Sequence, residues 1–416
     1  APLSNRGGEV RETGEADLAA LLGDALRAAG AGDPDTLTHG FHSYPARLHP
    51  AVAATLIPAL CPPEERVLDP FCGSGTVLVE ACVAGRASAG VDLNPLALRL
   101  ARVKCELRSH AERRRFVEAL RAVAARSEER IRTRVDARAP LRREHLRRYR
   151  GHVLKELAGL LEEVRAVPEE ADREALEMLF SAIVVKFSHV PADTAQAPGQ
   201  RVERRIRKGL PTEFFVRRGL ELARRWEALE DAAPKGTPPP LVFLGDARRL
   251  RSVLPRGART PLVLSSPPYG GTYDYAAHHA LRLSWLGMSA PELERYEIGA
   301  RRNLSPGVSR ARAPARDPAD GSADPDETQA QDHLARWDRE LGEALRATAE
   351  VLTPGGVAVW MLGDGQVAGR RVPADRQLHA LSGAAGARIL ASASQLRADY
   401  TGGPERREHL IAFCRR

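Results

Sequence analysis

Arg66-Val-Leu-Asp-Pro-Phe-Cys-Gly-Ser-Gly-Thr76, running on through Val77-Leu-Val-Glu-Ala-Cys-Val83 to Ala87-Ser-Ala-Gly-Val-Asp92, decides how this chain folds. A short apolar run, a glycine-rich turn, a helix-like stretch closed by Gly85 and a second short run read as strand, turn, helix, strand. That succession is a βαβ unit, the opening of a parallel α/β sheet. Upstream, residues 15–29 form an amphipathic helix ending at Gly30, and residues 50–60 an apolar one. Between them lies an aromatic, histidine-rich loop, His39-Gly-Phe-His-Ser-Tyr-Pro-Ala-Arg-Leu-His-Pro50.

Downstream the regular alternation stops. Residues 96–232 are mostly helical in pattern and rich in arginine, with strand signals returning at 241–244, 261–265, 357–362 and 409–414. The expected fold is a doubly wound, mostly parallel α/β sheet carrying a large helical insertion. We divide it into an N-terminal helical segment (1–38), a cofactor-binding half (39–104), the insertion (105–238) and a catalytic half (239–416). Residues 304–330 are rich in Pro, Ala and Asp without periodicity, which predicts a mobile loop. The apolar stretch 181–188 is expected to pack the insertion on the sheet.

The turn Asp69–Thr76 sits at the carboxyl end of the first strand of the unit, where open α/β sheets bind ligands. Gly73 and Gly75 let the backbone turn tightly and approach a ligand closely. There is no Gly-Lys-Ser/Thr, which excludes a phosphate-cradling P-loop. Asp92 ends the next strand, placed to accept hydrogen bonds from ribose hydroxyls. Asp69 offers a carboxylate that suits a cationic ligand and repels a pyrophosphate. Cys72 has no base near it in sequence and reads as a small residue filling a crowded turn. Histidines 39, 42, 49, 278 and 279 match no metal-ligand spacing, and no metal is expected.

Asp69-Pro-Phe-Cys-Gly-Ser-Gly-Thr76 resembles the S-adenosylmethionine (AdoMet) motif of the amino-methylating DNA methyltransferases, which make N4-methylcytosine or N6-methyladenine. Phe41-His-Ser-Tyr-Pro-Ala-Arg47 resembles the loop that closes over the methionine end of their cofactor. Gly245-Asp-Ala-Arg248 resembles the segment whose aspartate holds the adenine amino group. Ser266-Pro-Pro-Tyr269 matches their catalytic tetrapeptide, and 274–287 resembles the helix after it. These motifs cover roughly 39–95 and 241–288. The resemblance implies a sheet of the AdoMet-dependent methyltransferase type and AdoMet as cofactor, held by Tyr44, Asp69, Phe71, Gly73, Gly75, Thr76, Asp92 and Asp246. It implies catalysis by Ser266, Pro267, Pro268 and Tyr269, with restriction–modification as the family's usual setting.

The chemistry explains the tetrapeptide. An exocyclic amine on a base is a poor nucleophile because its lone pair is delocalised into the ring. Acceptors on both N–H bonds favour the pyramidal, reactive nitrogen, and the Ser266 hydroxyl and Pro267 carbonyl can supply them. Two prolines fix the backbone so that these acceptors are pre-positioned, and Tyr269 offers a face for stacking an extruded base. In the family, serine at the first position goes most often with cytosine N4. Adenine N6, RNA guanine N2, a protein amide and a non-catalytic nucleic-acid-binding relative stand as alternatives.

Net charge is +8, and only five of the 62 basic residues are lysine. Residues 105–150 hold fifteen arginines against seven acids, an excess equal to that of the whole chain. Concentrated positive charge predicts contact with nucleic acid, DNA being favoured, and gives target reading to the insertion. Five cysteines without a CxxC pair, no signal pattern and no apolar run long enough for a bilayer predict a cytoplasmic protein without a membrane.

Overall fold

In the computed structural model, residues 8–139, 141–189, 205–304, 325–397 and 406–416 are described. Strand β1 (Val10–Gly14) and helix α1 (Ala16–Ala31) lead into α2 (Pro50–Leu60) and the βαβ unit: β2 (Arg66–Asp69), α3 (Thr76–Val83), β3 (Ala87–Asp92). Six helices follow: α4 (Pro95–Lys104), α5 (His110–Thr133), α6 (Arg143–Leu146), α7 (Gly151–Arg165), α8 (Glu170–Val184) and α9 (Leu210–Ala232). The sheet resumes with β4 (Leu241–Leu244), α10 (Leu250–Val253) and β5 (Thr260–Ser265). Next come α11 (Tyr275–Leu286), α12 (Pro291–Tyr296), α13 (Arg301–Leu304), α14 (Pro325–Val351) and β6 (Leu352–Gly363). A small hairpin, β7 (Gly365–Val367) and β8 (Arg370–Val372), then α15 (Ala374–Ser382), β9 (Ala387–Arg397) and β10 (Arg406–Arg415) close the chain.

Eight strands make one sheet in the order β1-β9-β10-β6-β5-β2-β3-β4. The pairs β4–β3, β3–β2, β2–β5 and β5–β6 are parallel, whereas β10 runs antiparallel to both β6 and β9. The chain winds outward from β2 through β3 to β4, then returns to the other side of β2 with β5. That reversal opens a crevice at the carboxyl ends of β2 and β5. The doubly wound, mostly parallel sheet is therefore as expected.

Three expectations need correction. Residues 1–38 are not a separate helical segment, because β1 pairs with β9 (Val10 opposite Gln395) and α1 buries Leu22 and Leu26 against α2 and the sheet. Strand β1 has one apolar residue on an exposed edge, and the middle of β9 alternates Ala and Ser, so neither carried a strand signature. Second, 181–188 does not pack the insertion on the sheet. It belongs to a core shared by α5, α7, α8 and α9 with Leu96 and Leu100 of α4 and Trp285 of α11, a cluster that includes no strand residue. Third, the expected loop ends early: residues 325–330 open α14, while 305–324 lie outside the described residues.

Arg108, just ahead of α5, and the arginines of α5 join helices. Arg108 pairs with Asp172 at 2.5 Å, Arg115 with the same carboxylate at 2.8 Å, and Arg126 and Arg130 with Glu163 at 2.6 Å each. The Arg108 guanidinium also lies 4.1 Å from the centroid of the Trp226 ring. Asp172 and Arg108 are both buried, so removing the carboxylate leaves the Arg108 cation with Glu106 as its one acidic partner among the described residues, 2.6 Å away. Asp172→Ala should cost about 3–5 kcal/mol, measured by denaturant unfolding, the range for breaking a buried pair from one side.

Candidate functional site

A cleft of about 820 Å³ opens at the crevice between β2 and β5. The turn after β2 forms its floor. Gly73 and Gly75 have φ of +48° and +86°, the left-handed region that favours glycine. A Cβ on Gly73 would stand 3.1 Å from the Tyr44 ring, and one on Gly75 2.9 Å from the Ala101 methyl. Gly73 thus leaves room at the cleft. Gly75, which does not line it, sets the approach of α3 to α4.

Asp69 is buried at the end of β2. It accepts a hydrogen bond from the Ser265 hydroxyl at 2.5 Å and from the Phe71 N–H at 3.1 Å. Burial pushes its carboxyl up to about 7. Asp92 accepts the N–H of Gly73 at 2.9 Å and of Asn94 at 2.8 Å, and burial lifts it to about 6. Asp246 accepts the Arg248 N–H at 2.9 Å and grips its guanidinium at 2.6 Å. Tyr44 lies between His279 and Tyr275, with centroid separations of 4.8 and 6.1 Å. Phe71 and Thr76 also line the cleft, as do Ser266 and Pro268 of the tetrapeptide.

Pro267 and Tyr269 do not line it. Pro267 is buried, and Tyr269 packs on β6 so closely that a Cβ on Gly363 would meet its ring at 2.5 Å. Tyr269 is nonetheless only half-buried. Ser265, beside the tetrapeptide, is the residue that ties β5 to Asp69.

Several lining residues had no sequence signal. Tyr275, Leu293, Glu297 and Ile298 reach the cleft from α11, α12 and the turn after α12. Glu297 is buried and accepts the N–H groups of Tyr275 and Ala276 at 2.6 and 3.2 Å, capping α11 from another element. Arg302 holds it at 2.7 Å, and burial still raises its carboxyl above the usual range. Only the fold brings these residues to the cleft.

Cys72 is buried under the turn, and burial pushes its thiol well up, which leaves it a packing residue. The loop histidines are engaged in the fold: His39 with Glu80 at 2.6 Å, His42 with Ser181 at 3.0 Å, and His49 as cap of α2. Among the described residues one group could gather around an ion, Asp364, Asp375 and His409, but Arg371 already holds the Asp364 carboxylate at 2.6 Å. No helix is long and apolar enough to cross a membrane.

Four carboxylates line the cleft, Asp69, Asp92, Asp246 and Glu297, against one cation, Arg47. Such a lining suits a ligand with cationic centres and opposes a pyrophosphate, and the space beside Gly73 admits a backbone-hugging ligand.

Residues 41–138 match the UPF0020 family, described as RMKL-like, methyltransferase domain. A type II methyltransferase, M.MvaI of Kocuria varians, is 39% identical over 71 residues, 16% of this chain and 16% of that relative's length. The crystal structure of TrmN from Thermus thermophilus aligns over 89% of this chain and 49% of its own, at 12% identity and a TM-score of 0.32. The rRNA methyltransferase aviRa from Streptomyces viridochromogenes aligns over 89% and 88%, at 13% identity and a TM-score of 0.32. The residues matched to the UPF0020 methyltransferase domain include the segment that builds the turn, and the chain spans 16% of the length of the type II methyltransferase it matches.

Because Asp69 titrates near 7, its charge is lost as pH falls through neutrality. A cationic ligand gains from the ionised form only. AdoMet affinity, measured by calorimetry, should fall by up to about tenfold per unit below pH 7. Asp69→Asn should bind weakly and show a flattened profile; a profile unchanged by the substitution would remove Asp69 from cofactor binding.

Proposed function

We propose that this protein methylates an exocyclic amino group of a nucleic-acid base, with cytosine N4 of DNA as the acceptor. The observation that carries this reading is the meeting of Ser266 and Pro268 with Asp69, Gly73 and Asp92 in one cleft. The cofactor turn and the tetrapeptide stand on adjacent parallel strands whose carboxyl ends open on the same side. Tyr44, Asp69, Phe71, Gly73, Thr76, Asp92 and Asp246 hold the cofactor, with Gly75 shaping the turn from below.

Held by these residues, AdoMet would supply an electrophilic methyl group to the acceptor nitrogen, the C–S electron pair remaining on sulfur and one N–H proton leaving to solvent. The chain's part is to hold the amine. The Ser266 hydroxyl, which lines the cleft, accepts one N–H; the second acceptor, expected from the Pro267 carbonyl, lies on a residue buried off the cleft. Serine is far too weak an acid to act as a base without a partner, so direct transfer without a covalent enzyme intermediate follows. Serine rather than aspartate at the first position favours cytosine over adenine. The intact Asp69, Gly73, Gly75 and Ser266 favour an enzyme over a purely binding relative.

Incubation with labelled AdoMet and separated DNA, RNA and protein, followed by nucleoside analysis, tests this directly. Label in DNA as N4-methylcytosine is expected; label confined to RNA or protein would overturn the acceptor. Ser266→Ala should keep AdoMet affinity while transfer falls by about tenfold to a thousandfold.

The arginine excess divides into two groups. Those of α5 are largely engaged in ion pairs, whereas Arg143, Arg147 and Arg150 are exposed and have no carboxylate within 4.0 Å among the described residues. They surround His145, which stacks on Trp285 at the end of α11, the helix that starts at the cleft. We assign phosphate contact to this strip rather than to α5. Replacing the three by Gln should lower the salt slope of duplex DNA binding by roughly two to three units, at about 0.9 per phosphate. An unchanged slope would move the contact elsewhere.

A further inference from the structure

A second cavity, about 340 Å³, adjoins the cofactor cleft and shares Tyr275 with it. Its walls are Thr272, Tyr273, Asp274, Tyr275, His278 and Arg301, with Pro45 of the loop beside Tyr44. Three rings, Tyr44, Tyr275 and Tyr273, run in series from the cofactor cleft into this space, with the buried His279 behind Tyr44. His279 stacks on Tyr44 at 4.8 Å, Tyr44 on Tyr275 at 6.1 Å, and Tyr275 faces Tyr273 at 5.8 Å. Tyr273 and Tyr275 are both only half-buried.

We propose that this cavity receives the acceptor base, as a planar heteroaromatic ring stacked on Tyr273 and Tyr275 with its ring-nitrogen edge toward His278 and its exocyclic amine toward Ser266 in the adjoining cleft. The proposal rests on the methyltransferase reading above and departs from the tetrapeptide's expected role. The tetrapeptide's own tyrosine, Tyr269, packs its ring against Gly363 of β6 and lines neither cavity. An extruded base needs an aromatic platform to replace the stacking it leaves. Tyr273 and Tyr275 offer that platform four and six residues beyond Tyr269, still on the segment that leads from Ser266 into α11.

His278 supplies the polar edge. Its Nδ1 is buried without a hydrogen-bond partner among the described residues. Burial holds the imidazole down to about 4, so at neutral pH it is uncharged and carries one donor and one acceptor nitrogen. A neutral ring edge of that kind pairs with a base edge, where an imidazolium would seek a phosphate. Asp274 and Glu297 are less free to read the ligand. Asp274 caps α11 at the Ala277 N–H, 3.1 Å away, and Arg302 engages both carboxylates.

The test uses free nucleosides, so that it does not depend on knowing the target sequence. Protein saturated with S-adenosylhomocysteine, which fills the cofactor cleft, is titrated with deoxycytidine, deoxyadenosine or guanosine and followed by saturation-transfer NMR. One nucleoside should show ring-proton saturation. Tyr273→Ala should weaken it by about tenfold to a hundredfold, the range for losing one aromatic–base stack. Tyr273→Phe should restore it, and His278→Ala should change which nucleoside is preferred. Failure of all three nucleosides to bind the wild type, or binding untouched by Tyr273→Ala, would overturn the cavity's role. Methyl transfer to bulk DNA and RNA, measured in parallel, separates the two readings. A wild type that binds a nucleoside through Tyr273 but transfers no methyl keeps the cavity and sinks the activity. A wild type whose transfer shows the same acceptor KM in Tyr273→Ala sinks the cavity alone.

Discussion

The hydrogen bond from Ser265 to Asp69 joins the two strands on which everything at the cleft depends. It spans the ends of β2 and β5 at 2.5 Å, at the point where the winding of the sheet reverses. Asp69 ends the strand that leads into the glycine turn, and Ser265 immediately precedes the tetrapeptide. This buried contact adds to the parallel pairing of β2 with β5 in setting the cofactor half against the catalytic half. The arrangement has an electrostatic consequence. A carboxylate taken out of water resists ionisation, and neither the hydroxyl nor the Phe71 N–H fully offsets that burial. The site is thus held in a state that a cation relieves.

The same logic extends across the cleft. Asp92 is lifted by burial although it accepts two N–H groups, and Glu297 is lifted although Arg302 touches it. Asp69 and Asp92 are held by a hydroxyl and backbone N–H donors at the turn, and Glu297 by the N–H groups at the start of α11 and by Arg302. Such an arrangement is pre-organised for a positively charged ligand and carries a stability cost in its absence. Asp246 differs, because Arg248 from its own turn already shares its charge.

In the insertion, charge and burial work in the opposite sense. Arginines that read in sequence as one basic block divide once the helices are packed. Those on α5 reach acids on α7, α8 and α9 and hold four helices around a shared core, whereas the turn through α6 leaves its arginines in water. A surface pair contributes little and a buried one is costly to break, so Asp172 matters to the fold in a way that its neighbours on the surface do not.

The sequence by itself determined the βαβ unit, the glycine turn, the strand ahead of the tetrapeptide and the helical character of the insertion. Each rests on local periodicity or on residues adjacent in the chain, such as Asp69 with Gly73 or Ser266 with Pro267. It also determined that Cys72 is a filler, since nothing near it could activate a thiol. Only the tertiary structure decided that Gly75 serves helix packing, that Tyr269 faces Gly363, and that Tyr275 and Glu297 reach the cleft. It also decided that β1 closes the sheet beside β9. These are contacts between residues distant in sequence, whose side chains carry no mark of the partner they will meet. The reason is physical: periodicity reports which face of an element is buried, whereas the neighbour across that face is fixed only when the strands pair and the helices close over them.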